Sequence, residues 1–154
     1  MNNIITFFKS FFLQSKPSPQ KISENFYYLA LFTNNNIVYG KSIHGLWPNF
    51  ANGSYPSFCK KVEFDFNKLD NIITELKSYW ETPNDVNKEE KHFWEHEWKK
   101  HGSCMFVELT ELEYFTKVLE LYKNLMESNT NLEKYKKGNK YMIPFDLNFK
   151  LIEK

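Results

Sequence analysis

His44, His96 and His101, together with Glu97 and Lys100, are the residues whose types and spacing suit proton transfer on an anionic substrate. Four of the five lie in one run, Phe93 to Cys104, which reads FWEHEWKKHGSC. On an α-helix, at about 100° per residue, His96, Lys100, Glu97 and His101 fall at about 0°, 40°, 100° and 140°. They share one sector. Trp94 and Trp98, at about 160° and 200°, turn toward a core, while Phe93, at about 60°, lies inside the polar sector as an aromatic lining. A helix end with two imidazoles, a carboxylate and an ammonium on one side is an acid–base and anion site. A zinc reading of the same helix is weak, because HExxxH spacing splays the imidazoles by about 140° instead of placing them one turn apart. A solvated charged face would account for Lys99 and Lys100 alone.

The second segment with chemical content is Ile43 to Pro48, IHGLWP. A histidine before glycine, with Trp-Pro fixing the chain further on, is a positioned imidazole at the end of a strand. A lone histidine is more often a hydrogen-bonded structural residue. Beside the later segment, however, His44 and His101 could serve as base and acid, with His96, Glu97 and Lys100 handling a charged intermediate.

Several elements must hold these residues. Phe26 to Phe32, FYYLALF, is a continuous apolar run suited to a strand buried on both faces. A turn over Thr33 to Asn36 leads to extended segments at Ile37 to Tyr39 and Lys41 to Trp47, then a polar loop from Asn49 to Ser57. Lys61 to Phe64 alternates like a short strand. Asn67 with Asp70 is positioned to cap a helix with Leu69, Ile72, Ile73, Leu76 and Trp80 on its apolar stripe. Asn87 with Glu90 opens the central helix and Gly102 closes it as a C′ residue. Thr110 with Glu113 is a capping box for a helix whose inner face carries Leu112, Phe115, Val118, Leu119, Tyr122, Leu125 and Met126. A short helix over Thr130 to Lys137 and an extended tail, Tyr141 to Ile152, complete the chain. Strands come early and helices follow without βαβ alternation, so the fold class is α+β.

With 154 residues the chain makes one domain with a real core. Its net charge of +1 excludes a global basic field, so contact with a polyanion must be local. Protonating the four histidines raises the charge to about +5 near pH 5. Residues 1–24 stand apart. Ile4 to Leu13 is apolar but too short to span a bilayer, and it reads equally as a degenerate signal or anchor and as an amphipathic segment. Residues 15–24 read as a linker into a domain over 25–154.

IHGLWP at 43–48 and HEWKKHGSC at 96–104 resemble the two active-site segments of the ribonuclease T2 family, the acid ribonucleases that include the S-RNases. YPSFC at 55–59, the Phe93-Trp94 pair and Tyr114-Phe115 agree with it, so the likeness covers about residues 26–126. The resemblance implies an antiparallel sheet packed against several helices, in a C-terminally shortened form. It implies a metal-independent endoribonuclease with no cofactor, which cleaves single-stranded RNA through its 2′-OH to a 2′,3′-cyclic phosphate and a 5′-OH. His44 and His101 would be the acid–base pair, Glu97 and Lys100 would stabilise the transition state, and His96 would hold the phosphate. Trp47, Asn49 and Phe93 are the further expected substrate contacts. The resemblance also implies a Cys59–Cys104 disulfide, hence a secretory or endolysosomal location, and a monomer that neither spans a membrane nor cleaves DNA. The chain lacks the family's Gln-Trp-Pro segment with its cysteine, and it carries Asn49 where many members have Asp. The alternative is a catalytically silent relative that binds RNA or a protein.

Overall fold

The computed structural model describes residues 22, 24–82 and 89–153. The candidate signal segment, most of the linker and the Asn87 cap lie outside the described residues.

Strand β1 (Phe26–Thr33) forms over the apolar run and is paired antiparallel along both edges, but it is not buried on both faces as expected: Tyr28 and Phe32, on the side away from the helices, are only half-buried. Its partners are β2 (Lys41–Asn49) and β4 (Lys140–Phe145), and a two-residue β3 (Lys136–Lys137) adds to β4. The sheet order is β2-β1-β4-β3. Because β2 is an edge strand, Pro48 costs no ladder bond and the strand continues to Asn49 instead of ending at the proline.

Helices α1 (Ile73–Tyr79), α2 (Glu90–Lys100) and α3 (Glu111–Glu127) supply the rest of the core. Tyr27, Leu29 and Leu31 of β1 meet Ile43 and Leu46 of β2, Trp94 and Trp98 of α2, and Phe115, Val118 and Tyr122 of α3. The buried aromatics are also hydrogen-bonded. Tyr114 Oη donates to the Leu46 carbonyl at 3.1 Å and Tyr122 Oη to that of Lys41 at 2.6 Å, so α3 is pinned to β2 at two points. The expected capping box on α3 is present, with Thr110 and Glu113 satisfying each other's backbone N–H groups.

Local differences from expectation have identifiable causes. Ile37 to Tyr39 is part of a turn, with Gly40 at φ 68° allowing the reversal into β2. Lys61 to Phe64 runs irregularly and its Glu63 carbonyl accepts from the Trp98 indole at 2.9 Å, a tertiary bond in place of a strand ladder. The helix expected after Asn67 starts two residues earlier, as a 3₁₀ segment (Phe66–Ile72) capped by Asp65, before becoming α1. Leu112, placed on the inner face of α3, is 37% exposed, since it lies about 100° round the helix from the buried line of Glu111, Phe115, Val118 and Tyr122. The Thr130 to Lys137 helix is a single 3₁₀ turn, Leu132–Tyr135. The tail is extended only to Phe145, apart from a bridge at Leu151.

Candidate active site

Two elements carry the site, and each positions its side chains by a different rule. On α2, helical periodicity does the work. Trp94 and Trp98 are buried in the core, and Glu97 points the other way with Phe93, His96 and Lys100. Glu90 in the first turn and Lys99 and Lys100 in the last complement the helix dipole, and Lys99 pairs with Glu95 at 2.6 Å.

Gly102 departs from its expected role. It does not take a left-handed conformation but opens a 3₁₀ turn (Gly102–Cys104), and a Cβ there would stand 2.1 Å from the Trp98 ring. Close packing, not a positive φ, requires glycine. The carbonyls left open at the end of α2 are taken up by neighbours: Ser103 Oγ donates to Lys99 O at 2.7 Å and Phe58 N to Lys100 O at 2.9 Å. Beside them the Cys59–Cys104 disulfide joins α2's exit to the loop after β2, with Cα atoms 5.1 Å apart.

On β2 the rule is a β-bulge. Ala30 pairs with Gly45 but Leu31 pairs with Ile43, so His44 is the extra residue. The parity of the strand changes there. Ile43 and Leu46 both reach the core although three positions separate them, while His44, Trp47 and Asn49 all line the opposite cleft. A regular strand would place His44 and Trp47 on opposite faces. The bulge leaves the His44 carbonyl without a strand partner, and the Trp80 indole supplies one at 3.0 Å. Trp94 Nε1 in turn donates to the Trp80 carbonyl at 3.0 Å, so α2 and the bulge are connected through one tryptophan.

The two arms meet on Glu97. Its carboxyl is only 2% exposed and lies 3.7 Å from His44 Nε2 through Oε1 and 3.9 Å from His101 Nε2 through Oε2. Trp47 Nε1 donates to Oε2 at 2.8 Å, and the Trp47 ring stacks on His101 with centroids 5.2 Å apart. Gly45 is what lets the carboxyl in, since a Cβ there would sit 2.1 Å from Oε2. His44 is walled by aromatic rings, with Trp47 at 4.9 Å and Phe93 at 5.4 Å. His101 Nδ1 is buried without a hydrogen-bond partner among the described residues, an arrangement that costs about 1–3 kcal/mol and persists where a ligand completes it.

Charge is disfavoured in this cleft of about 390 Å³. Burial, then the positive charge of Lys140, lowers His44 to about 4, and burial followed by Lys100 lowers His101 to about 3. Burial also raises Glu97 to about 8, against the pull of the Trp47 hydrogen bond and the lysines.

All eight residues expected at the site, His44, Trp47, Asn49, Phe93, His96, Glu97, Lys100 and His101, line this one cleft. Tyr55, Lys140 and Met142 line it too and were not anticipated. Tyr55 belongs to the YPSFC segment, whose position after the first motif was a usable signal. Lys140 had none, because only the pairing of β4 with β1 brings it beside the histidines.

An α+β domain with two imidazoles from separate elements on one buried carboxyl defines the class: a protein with an acid–base cleft beside cationic side chains. The ribonuclease T2 family profile matches residues 23–142, and the chain belongs to that family. It is 41% identical to ribonuclease 1 of Arabidopsis thaliana over 80 residues, which is 51% of this chain and 35% of that protein. It is 43% identical over 90 residues to a ribonuclease T2 protein of Caenorhabditis elegans, covering 54% of this chain and 32% of the other. The chain thus spans about a third of the length of these relatives. The fold is similar to that of trichomaglin, an S-like ribonuclease, with a TM-score of 0.61 over 83% of this chain and 90% of that one at 21% identity.

Proposed function

We propose that this protein is an endoribonuclease that cleaves single-stranded RNA by transphosphorylation. The observation that carries this reading is the convergence of His44 and His101, from β2 and from the end of α2, on the same side of one cleft. In the reaction, one imidazole takes the proton from the ribose 2′-OH. The 2′ oxygen then bonds to phosphorus, and the P–O5′ bond breaks as the other imidazole protonates the leaving oxygen. One imidazole must be neutral and the other charged. The depressed values of the free cleft are offset when a phosphodiester anion binds beside the imidazoles, and mildly acidic pH helps further.

Lys100 offsets the charge that builds on the equatorial oxygens, and His96 holds the phosphate. Glu97, raised by burial, stays protonated at acidic pH and so donates a hydrogen bond to a phosphoryl oxygen instead of repelling it. Trp47, Asn49 and Phe93 contact the bases. The protein's own groups complete the proton and charge transfers, so neither metal nor cofactor is invoked. DNA has no 2′-OH and would not react. A disulfide and a preference for acidic conditions fit a secretory or endolysosomal compartment and a monomeric enzyme. No helix among the described residues is long and apolar enough to cross a membrane.

A silent RNA- or protein-binding relative is the weaker reading, because such a protein has no need to keep both imidazoles, Glu97 and Lys100 together. The test is digestion of single-stranded RNA in EDTA at pH 5, with product ends identified by mass spectrometry. Products ending in 2′,3′-cyclic phosphate are expected. Activity lost to chelator and rescued by zinc overturns the mechanism, and no cleavage overturns the enzyme.

A further inference from the structure

The face of the sheet turned away from the core is unlike the rest of the surface. Period two along β1 sends Tyr27, Leu29 and Leu31 into the core and leaves Tyr28 and Phe32 on the other side. Tyr28 is the register partner of Trp47, and Phe32 that of Lys140, so this face is continuous with the cleft. Cations stand over its rings. Lys140 Nζ lies 5.3 Å from the Trp47 centroid, and Lys137 Nζ lies 5.0 Å from that of Tyr28 while donating to its hydroxyl at 3.3 Å. Neither lysine has a carboxylate within ion-pair distance among the described residues, although Lys91, Lys99, Lys117 and Lys123 on α2 and α3 do.

We propose that this face is a track for single-stranded RNA that extends the cleft, with Tyr28 offering a stacking surface and Lys140 and Lys137 contacting phosphates. The inference rests on the ribonuclease reading and deepens it: the substrate is a polynucleotide held beyond the residues that flank the cut. Aromatic planes interleaved with cations are what a flexible strand requires, since every base has a π-face and every linkage a negative charge. Lys140 would be shared. It faces His44 strongly enough to depress its protonation, so a phosphate drawn to Lys140 enters the cleft beside the imidazole. A folded protein partner fits less well, because the face pairs half-buried rings with lysines that have no carboxylate partner among the described residues.

Lys137 and Tyr28 lie outside the cleft, so their loss can be separated from chemistry. The experiment measures kcat and KM for a dinucleoside monophosphate and for a ten-nucleotide RNA with wild type, Lys137→Glu, Lys137→Arg and Tyr28→Leu. Fluorescence anisotropy of a labelled ten-nucleotide DNA, which binds without reacting, is measured alongside. Lys137→Glu and Tyr28→Leu are expected to raise KM for the longer RNA and weaken DNA binding about tenfold each. They should leave kcat and the dinucleotide reaction unchanged, and Lys137→Arg should behave as wild type. Removing one phosphate contact should also reduce the slope of log affinity against log salt by about 0.7. Unchanged values for both lengths, or equal losses on both, overturn the track. Wild type that cleaves neither substrate refutes the ribonuclease reading instead, and the DNA arm then still decides the track.

Discussion

The two arms of the cleft bring five ionisable side chains and two aromatics to the same place by different means. The α2 arm is a local object: Glu97, Lys100 and His101 face the cleft because a helix puts them there, and the buried tryptophans hold the helix down. The β2 arm is not local. His44, Trp47 and Asn49 share a face only because β1 accepts a bulge opposite Ala30 and Leu31, and because Trp80 takes the freed carbonyl. A site assembled this way is as precise as its weaker arm. The cleft therefore depends on what joins the arms, namely Glu97 lodged over Gly45, the Trp94–Trp80–His44 relay and the disulfide.

If both arms contribute one obligatory proton carrier, breaking either should be equally severe. His44→Phe and His101→Phe are each expected to lower kcat by 10³-fold or more, with circular dichroism and melting temperature close to wild type. A variant retaining near-normal turnover would show that its arm only positions substrate.

The next largest effect should come from the link between α2 and the loop that follows β2. The bond closes a 45-residue separation, worth about 4 kcal/mol in the chain-entropy account. Cys59→Ala combined with Cys104→Ala should lower the denaturation midpoint and reduce activity together. Loss of stability with full activity would mean that the hydrogen bonds from Phe58 and Ser103 suffice to hold the arms in register.

A more focused probe is Gly45→Ala, which places a methyl group against the Glu97 carboxyl and the Trp47 indole. The expected cost is about 1–3 kcal/mol of stability, as in other overpacked sites. Because the methyl displaces the group between the imidazoles, kcat should fall about 10²-fold. An unchanged kcat would show that Glu97 can move without consequence.

The smallest expected effect is a curvature in stability against pH. Between 4.5 and 6.5 the unfolded chain binds two protons on His44 and His101 and none on Glu97, whereas the folded chain keeps one on Glu97. The unfolded state holds more protons, so this cluster's contribution rises with pH there. From 6.5 to about 8 the folded state retains a proton that the unfolded state has lost, and the contribution falls. A maximum near pH 6.5 is expected from urea midpoints across the range. Glu97→Gln should flatten the alkaline limb, and His44→Phe should reduce the acid one. An alkaline limb that survives Glu97→Gln would assign it to another group.

How much of this was legible in the chain follows from the same contrast between arms. Periods of 3.6 on α2 and α3 and the Thr110–Glu113 box could be read directly, because each depends on residues within a turn or two of one another. The continuous apolar run of β1 was likewise sufficient to call for a strand, but not for one covered on both faces, since Tyr28 and Phe32 are only half-buried. Residue chemistry suggested His44 as a partner for the helix residues, and resemblance, not periodicity, made that pairing specific and joined Cys59 to Cys104. Nothing in IHGLWP announces a bulge, since the irregularity is defined by which residue of β1 each position meets. Gly102 looked like a helix terminator and Gly45 carried no signal of its own, but both are dictated by side chains, Trp98 and Glu97 respectively. Lys140 and Tyr28 were silent because a lysine and a tyrosine gain meaning here only from the strand order β2-β1-β4-β3. The sequence by itself determined which groups were available and which helix face presents half of them. Tertiary structure alone decided the bulge, the burial that shifts His44, Glu97 and His101, and the cationic face beside the cleft, because each of these is set by partners distant along the chain.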